Sequence, residues 1–332
     1  MKKKVVYCIT LYDNAMKHQN LWAVFLLLFV TGCTRPTSEV STPLSEHQGA
    51  VRITGAYALY PLVSLWVTEY QKNHPEILFE IVARGSGSVW RDLDENRIDL
   101  AMVSSENLPI SDSLLWVTPV ARLGVVVVTS SANPYLTGIR SRGLTRGELA
   151  MAFTGPSGQS WGGLFGKPDS DPVHTYIRVD SAGATDQLAR FLWQTPADFK
   201  GKGVDGEDAM LDAVMQDPLA LGYCNFIYAF DPQTMQFRDG IAIIPLNPEQ
   251  KGRGIDSFYD SVPWLQRAMW SGKYPSGLIR NLYLVSKEKP STTEEVNFLQ
   301  WILTDGQRLI AGAGYIEVPS REIRCRLESL SR

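Results

Sequence analysis

From residue 51 onward, short apolar runs alternate with stretches in which apolar residues recur every three or four positions. Short runs predict strands, and the second spacing predicts amphipathic helices. The predicted strands are 51–54, 77–83, 99–104, 123–129, 175–179, 221–228, 241–246 and 281–286. The predicted helices are 61–73, 88–96, 145–153, 184–194, 207–215, 292–303 and 305–312. This alternation predicts an α/β fold with mainly parallel sheets flanked by helices.

Two strongly apolar strands divide the folded part of the chain. Residues Val125–Val128 form an unbroken run of valines, which predicts a strand buried on both faces. A comparable strand, Leu282–Val285, follows about 150 residues later. Two such strands can connect a discontinuous lobe to an inserted one. We therefore expect one lobe from residues 50–124 and 283–325, a second from 125–282, and a ligand cleft between them.

The N-terminal segment has the pattern of an export signal. Residues 21–31 form an apolar run of 11, too short to span a bilayer but typical of the core of a signal peptide. The sequence that follows, Val30-Thr31-Gly32-Cys33, resembles the bacterial lipobox. The alternative is a short buried helix with an incidental cysteine. We expect residues 1–32 to be a signal peptide, starting at Met1 or Met16, and Cys33 to carry the lipid.

The segment after Cys33 is predicted to be a flexible tether. Residues 33–50 are rich in Ser, Thr and Pro and lack helical or strand periodicity, which is typical of a flexible linker. The mature protein is thus expected to be exported and anchored by lipid to a bacterial membrane, on its periplasmic or cell-surface side.

Charge and cysteine spacing exclude several function classes. Removing the net +3 of residues 1–32 from the formal net charge of −3 leaves −6 for the rest of the chain, which argues against nucleic acid as a partner. Cys8, Cys33, Cys224 and Cys325 form no CxxC pair, so a structural zinc site of the usual spacing is not expected. We also expect no other metal and no cofactor. We expect Cys224 to be a buried free thiol, although pairing with Cys325 is the alternative in an oxidising compartment.

Catalytic motifs do not stand out. Ser86 and Ser157 are not in a G-x-S-x-G elbow, and Gly162–Lys167 lacks the spacing of a phosphate-binding P-loop. The sequence pattern does not indicate any pair of Asp or Glu residues that would act in proton transfer. The sequence therefore favours a binding protein, and an enzyme is not expected.

Three loops of small residues precede predicted helices and could bind an anion. They span residues 54–61, 84–88 and 178–185. Free backbone N–H groups and the helix dipole favour negative charge at such positions. Arg178 could add a charge-assisted contact to an oxyanion. For any one loop, the alternative is plain capping of the helix by Ser86 or Ser181.

The order of these motifs resembles the substrate-binding proteins of phosphate ABC importers, the type II periplasmic binding proteins of the PstS kind. The resemblance covers residues 50–320 and is most specific at Ala152-Phe-Thr-Gly155 and in the tail Phe298-Leu, Gly306-Gln307, Ala313-Gly-Tyr315 and Val318-Pro319. It implies a two-lobed periplasmic-binding-protein fold of type II with the ligand in the cleft. By position it implies ligand contacts from Ala58, Leu59, Tyr60, Ser86, Ser88, Ser105, Arg178, Ala182, Gly183 and Ala184.

The leading hypothesis is a monomeric solute receptor that captures a small oxyanion, phosphate first, and presents it to an ABC permease complex. The alternative is a sensor or scaffold lipoprotein that keeps the fold and recognises another ligand or a protein. Alanines at 58, 182 and 184 supply no hydroxyl donors, which keeps the alternative open.

Overall fold

The computed structural model describes residues 50–84, 89–104, 115–156, 159–165, 171–180, 182–247 and 257–331. The predicted signal peptide, the lipidated Cys33 and nearly all of the tether lie outside the described residues, as do Ser86, Ser88 and Ser105.

Eleven strands form in the described part of the chain: β1 Ala50–Gly55, β2 Leu78–Ala83, β3 Leu100–Val103, β4 Trp116–Ser130, β5 His174–Arg178, β6 Lys202–Val204, β7 Ala220–Asn225, β8 Phe230–Asp231, β9 Gln236–Phe237, β10 Ile241–Ile243 and β11 Ile279–Ser286. The α-helices described are α1 Tyr60–Gln71, α2 Val89–Asp94, α3 Leu136–Arg142, α4 Arg146–Thr154, α5 Trp161–Leu164, α6 Gly183–Phe191, α7 Gly206–Gln216, α8 Val262–Trp270, α9 Thr293–Leu303 and α10 Ser320–Ser331. Short 3-10 helices lie at Pro196–Asp198, Phe226–Tyr228, Ser257–Asp260, Ser276–Leu278 and Asp305–Leu309.

The larger sheet has nine strands in the order β2-β1-β3-β11-β4-β7-β5-β6, with β10 also paired to β4. β1 runs parallel to β2 and β3, and β5 runs parallel to β6 and β7. The α/β fold is therefore confirmed, but the expectation of mainly parallel sheets is wrong. β11 runs antiparallel to β3 and β4, and β4 runs antiparallel to β7 and β10, so two long central strands make the sheet mixed.

Strand β4 changes its partner halfway along. Residues 116–124 pair with β11, and residues 125–129 pair with β7. The register with β11 shifts near Pro119, between Leu282 and Tyr283. Proline has no N–H to donate in a hydrogen bond to the neighbouring strand, so it is tolerated at such an irregularity. The same proline interrupts the pattern, which is why the sequence predicted only the C-terminal half of this strand.

The valines of β4 lie at the centre of the core, as predicted. Val125 to Val128 are all fully buried and belong to one large apolar cluster that also includes residues of α1, α6 and α7. Trp66 of α1 is fully buried and donates from Nε1 to the carbonyl of Gly306 at 2.8 Å, which ties α1 to the C-terminal region. A second, smaller apolar cluster packs α2 against β3 and β11.

Several elements depart from the prediction. Helices α3, α5, α8 and α10 were not predicted, and the helix expected at 305–312 is a short 3-10 helix at Asp305–Leu309. α10 buries only Leu330, so its sequence has no wide apolar face to show periodicity. Cys224 is a fully buried free thiol, as expected, and Cys325 is free and exposed. Within the described ranges, every helix is too short or too polar to cross a membrane.

Candidate functional site

The first loop is fixed where β1 ends. Gly55 has φ +142°, and a Cβ there would lie 2.2 Å from the carbonyl oxygen of Met102. Only glycine therefore fits this close approach of β1 to β3. Ala56 N–H donates to that same carbonyl at 2.8 Å. Tyr315 Oη donates to the carbonyl of Ala58 at 2.9 Å, so the loop is held from its other side as well.

The third loop leads from β5 into α6. Ala182 is the N-cap residue of α6, and its own N–H donates to the carbonyl of Asp180 at 2.7 Å. Alanine has no side chain that could cap the helix, so the first N–H groups of α6 depend on other acceptors. A Cβ on Gly183 would lie 2.7 Å from Ser104 Oγ, which places the start of α6 directly against the end of β3.

These two loops border one small cavity of about 20 Å³, room for roughly one water molecule. Its wall is formed by the end of β3, the two loops, the first turn of α7, the end of β7, and β11. The lining residues are Ala56, Tyr57, Ala58, Ser104, Arg178, Asp180, Ala182, Gly183, Glu207, Asn225 and Arg280.

Arg178 is the buried cation that two carboxylates hold in this wall. Its Nε donates to Oδ1 of Asp180 at 2.6 Å, and its Nη2 contacts Oδ2 of the same carboxylate. Its Nη1 lies 2.8 Å from Oε1 of Glu207. That contact is a close ion pair between two buried groups, since the side chains of Arg178 and Glu207 are only 3% and 4% exposed.

A neutral amide connects Glu207 to a second buried arginine. Asn225 Nδ2 donates to Oε1 of Glu207 at 2.5 Å, and the backbone N–H of Asn225 donates to Oε2 at 3.2 Å. The Oδ1 of Asn225 accepts from Nη2 of Arg280 at 2.6 Å. The wall thus carries two guanidinium groups and two carboxylates, and their formal charges cancel.

Burial and the neighbouring charges have opposite effects on the pKa values of these groups. Burial raises the pKa of Glu207 above its ordinary value, and the nearby Arg178 opposes this only in part. Burial also disfavours the charged form of Asp180, but the hydrogen bonds and charge of Arg178 outweigh it and lower the pKa of that carboxyl. Burial lowers the pKa of Arg178, yet Asp180 and Glu207 more than compensate, so the guanidinium stays charged.

Four of the ten predicted ligand residues lie in the cavity wall: Ala58, Arg178, Ala182 and Gly183. Leu59 and Ala184 are buried behind it in the apolar core, and Tyr60 is 39% exposed at the start of α1. For Ser86, Ser88 and Ser105, which lie outside the described residues, the structure gives no position.

The sequence pattern did not predict three polar residues of the cavity wall, which other helices and strands contribute. Glu207, Asn225 and Arg280 lie on a helix and two strands far apart in the chain, and no motif marks them. Asp180 follows Arg178 by two residues, a spacing that could have suggested the pair. No group of three or more His, Cys, Asp or Glu side chains suited to a metal occurs in the described ranges.

A family model described as a PBP superfamily domain matches residues 40–306. The chain is 22% identical over 282 residues to the phosphate-binding protein PstS of Bacillus subtilis, covering 84% of each chain. It is 24% identical over 341 residues to PstS of Pseudomonas aeruginosa, covering 92% of this chain and 97% of the relative.

The fold is also similar to a solved structure. A putative phosphate ABC transporter substrate-binding protein from Clostridium perfringens with bound phosphate gives a TM-score of 0.64 at 20% identity, covering 81% of this chain and all of the other. These relatives are named as binding proteins, which confirms the expectation that the chain is not an enzyme. Because the family model matches well over half of the chain, this protein belongs to the PBP superfamily, as a relative of the PstS phosphate-binding proteins.

Proposed function

We propose that this protein captures phosphate, a small oxyanion, and presents it to an ABC permease complex while anchored to the membrane by lipid at Cys33. One observation carries the proposal. The cavity wall holds the guanidinium of Arg178, which is only 3% exposed, next to the uncapped N-terminus of α6. A guanidinium is well suited to bind an oxyanion through charge-assisted hydrogen bonds.

The surrounding groups suit an anion. The uncapped start of α6 and the loop Ala56–Ala58 meet at the same cavity, and backbone N–H groups at a helix N-terminus favour negative charge. Asp180 fixes the plane of the Arg178 guanidinium through two contacts. The anion would be bound by Arg178 and by backbone donors rather than by serine or threonine hydroxyls of the first loop.

The relatives support the choice of phosphate. The B. subtilis and P. aeruginosa proteins are named phosphate-binding proteins, and the C. perfringens structure contains phosphate. The export signal and the lipobox-like Val30–Cys33 support a membrane-anchored protein facing the periplasm or cell surface.

A sensor or scaffold role is the second candidate. The observation that favours it is the charge balance of the wall, where Asp180 and Glu207 already contact the Arg178 guanidinium. Such a site could serve a structural purpose and leave recognition to another surface.

A thermal-shift screen of the purified protein distinguishes the two candidates. A ligand that binds only the folded state raises the melting temperature with its concentration. We expect phosphate to raise it at millimolar concentration and chloride at equal ionic strength to leave it unchanged. No shift with phosphate, sulfate, arsenate or molybdate would favour the sensor or scaffold.

A further inference from the structure

A second cavity, of about 300 Å³, lies apart from the candidate anion site. It is bordered by the first residue of α4, the C-terminal end of α6, Trp193 and the segment 276–279. Among the described residues, it shares no lining residue with the smaller cavity around Arg178. Arg146 and Arg190 line it, and none of its described lining residues is an aspartate or a glutamate. The cavity is therefore basic, although the chain as a whole has a formal net charge of −3.

Arg146 is held in this cavity by two aromatic rings. Its Cζ lies 4.6 Å from the ring centroid of Phe191 and 4.4 Å from that of Trp193. Its Nε is buried without a hydrogen-bond partner, and no carboxylate forms a salt bridge with Arg146 in the described part of the chain. The charge of Arg190, by contrast, acts on the nearby Asp186. Arg146 thus offers an oriented guanidinium that the described residues do not neutralise.

Trp193 is the most exposed of the large apolar side chains described, at 78%. Its φ is +58°, in the left-handed region that a bulky residue rarely adopts. The N–H of Gln194 donates to the carbonyl of Ala189 at 2.8 Å and closes the end of α6 around Trp193. Glycine usually occupies this position of such a helix end. The tryptophan is both strained and exposed, two disadvantages that contact with a partner would offset.

We propose that this cavity, together with Trp193, is a docking site for an acidic segment of a partner protein. Tryptophan and arginine are among the residue types that contribute most to the affinity of protein interfaces. A carboxylate of the partner would accept charge-assisted hydrogen bonds from Arg146, and a neighbouring apolar side chain would cover Trp193. The docking site is independent of the proposed phosphate site, so either can fail without the other.

The competing explanation is that Arg146 and Trp193 only pack α4 against α6. Trp193→Gly separates the two roles, because glycine adopts the left-handed conformation without strain. If Trp193 serves docking, this variant should keep the melting temperature of the wild type and lose binding of the partner. If Trp193 serves packing alone, the melting temperature should fall and binding should stay.

The experiment is titration calorimetry of the full chain with a probe peptide of four glutamates around one phenylalanine. We expect the wild type to bind it with a submillimolar dissociation constant. Arg146→Gln should bind tenfold to hundredfold more weakly, as for loss of one charge-assisted contact, and Trp193→Gly at least tenfold more weakly. The control is Trp264→Ala on α8, a 62% exposed tryptophan outside this cavity, which should bind the peptide like the wild type.

Wild-type affinity for the peptide in Arg146→Gln or in folded Trp193→Gly would overturn the proposal. So would a wild type that binds the matching lysine peptide as tightly as the acidic one, or that does not bind the acidic peptide at millimolar concentration; neither comparison needs a variant to fold. Binding of a short-chain phosphatidylglycerol that depends on Arg146, without binding of the peptide, would assign the cavity to a lipid headgroup and would also overturn it.

Discussion

Nη1 of Arg178 lies 2.8 Å from Oε1 of Glu207, and the two side chains are only 3% and 4% exposed. Arg178 is carried by β5 and Glu207 by the first turn of α7, so their contact joins two elements at the wall of the cavity. Each group neutralises a charge that the apolar surroundings could not otherwise accommodate. The pair is thus both a structural requirement and part of the candidate site.

Removing one member of this pair should be strongly destabilising. Glu207→Ala leaves Arg178 with less compensating charge in a buried place, and we expect a loss of about 3–5 kcal/mol in the free energy of unfolding. Urea denaturation measures this. The control is Asp208→Ala on the same helix, whose side chain is 78% exposed and which should change stability by about 0.5 kcal/mol or less. A Glu207→Ala variant as stable as this control would contradict the assigned contact.

The glycine at the start of α6 should not tolerate a side chain. A Cβ on Gly183 would lie 2.7 Å from Ser104 Oγ and 2.9 Å from the carbonyl oxygen of Ser104. We expect Gly183→Ala to lose about 1–3 kcal/mol of stability through overpacking. Gly147→Ala at an exposed position of α4, where nothing lies within 4 Å of the new Cβ, should gain up to about 1 kcal/mol from helix propensity. Equal shifts of the two melting temperatures would show that β3 and α6 are not in contact.

Lipid anchoring depends on Cys33, which lies outside the described residues. We expect Cys33→Ser to block acylation and normal maturation. In two-phase detergent partition of bacterial extracts, the wild type should enter the detergent phase and the variant the aqueous phase. Recovery of both proteins in the aqueous phase would mean that the lipobox interpretation is wrong.

We predict that residues 50–124 with 283–325, and residues 125–282, move relative to each other around the ligand. The change of partner of β4 between Gly124 and Val125 supports this boundary. A cavity of about 20 Å³ is too small for phosphate, so its walls must separate for the anion to enter. Small-angle scattering should show a smaller radius of gyration with saturating phosphate than without it. The same radius in both states would count against domain closure.

The sequence could predict those parts of the site that follow from local rules. The small-residue loops before α1 and α6 are visible because each must turn sharply into a helix, and Arg178 ends a strand just before one of them. Local rules could not show that Glu207, Asn225 and Arg280 converge on Arg178. They are brought together only by the pairing of β7 with β4 and of β4 with β11, which is a tertiary property.

The fold likewise has features that local sequence rules could not predict. The valine run predicted the buried half of β4, but the N-terminal half is defined by its pairing with β11 across an irregularity at Pro119. The sheet is mixed rather than mainly parallel as expected, because the two central strands, β4 and β11, run antiparallel to their neighbours.

The central claim, oxyanion binding at Arg178, is tested most directly by titrating phosphate into the wild type and Arg178→Ala in a calorimeter. We predict binding to the wild type with one site per chain. We predict a tenfold to hundredfold weaker affinity for the variant, which corresponds to a charge-assisted contact of about 1.5–3 kcal/mol. A wild type that binds neither phosphate nor sulfate at millimolar concentration, or a folded Arg178→Ala variant that binds phosphate as tightly as the wild type, would contradict the account.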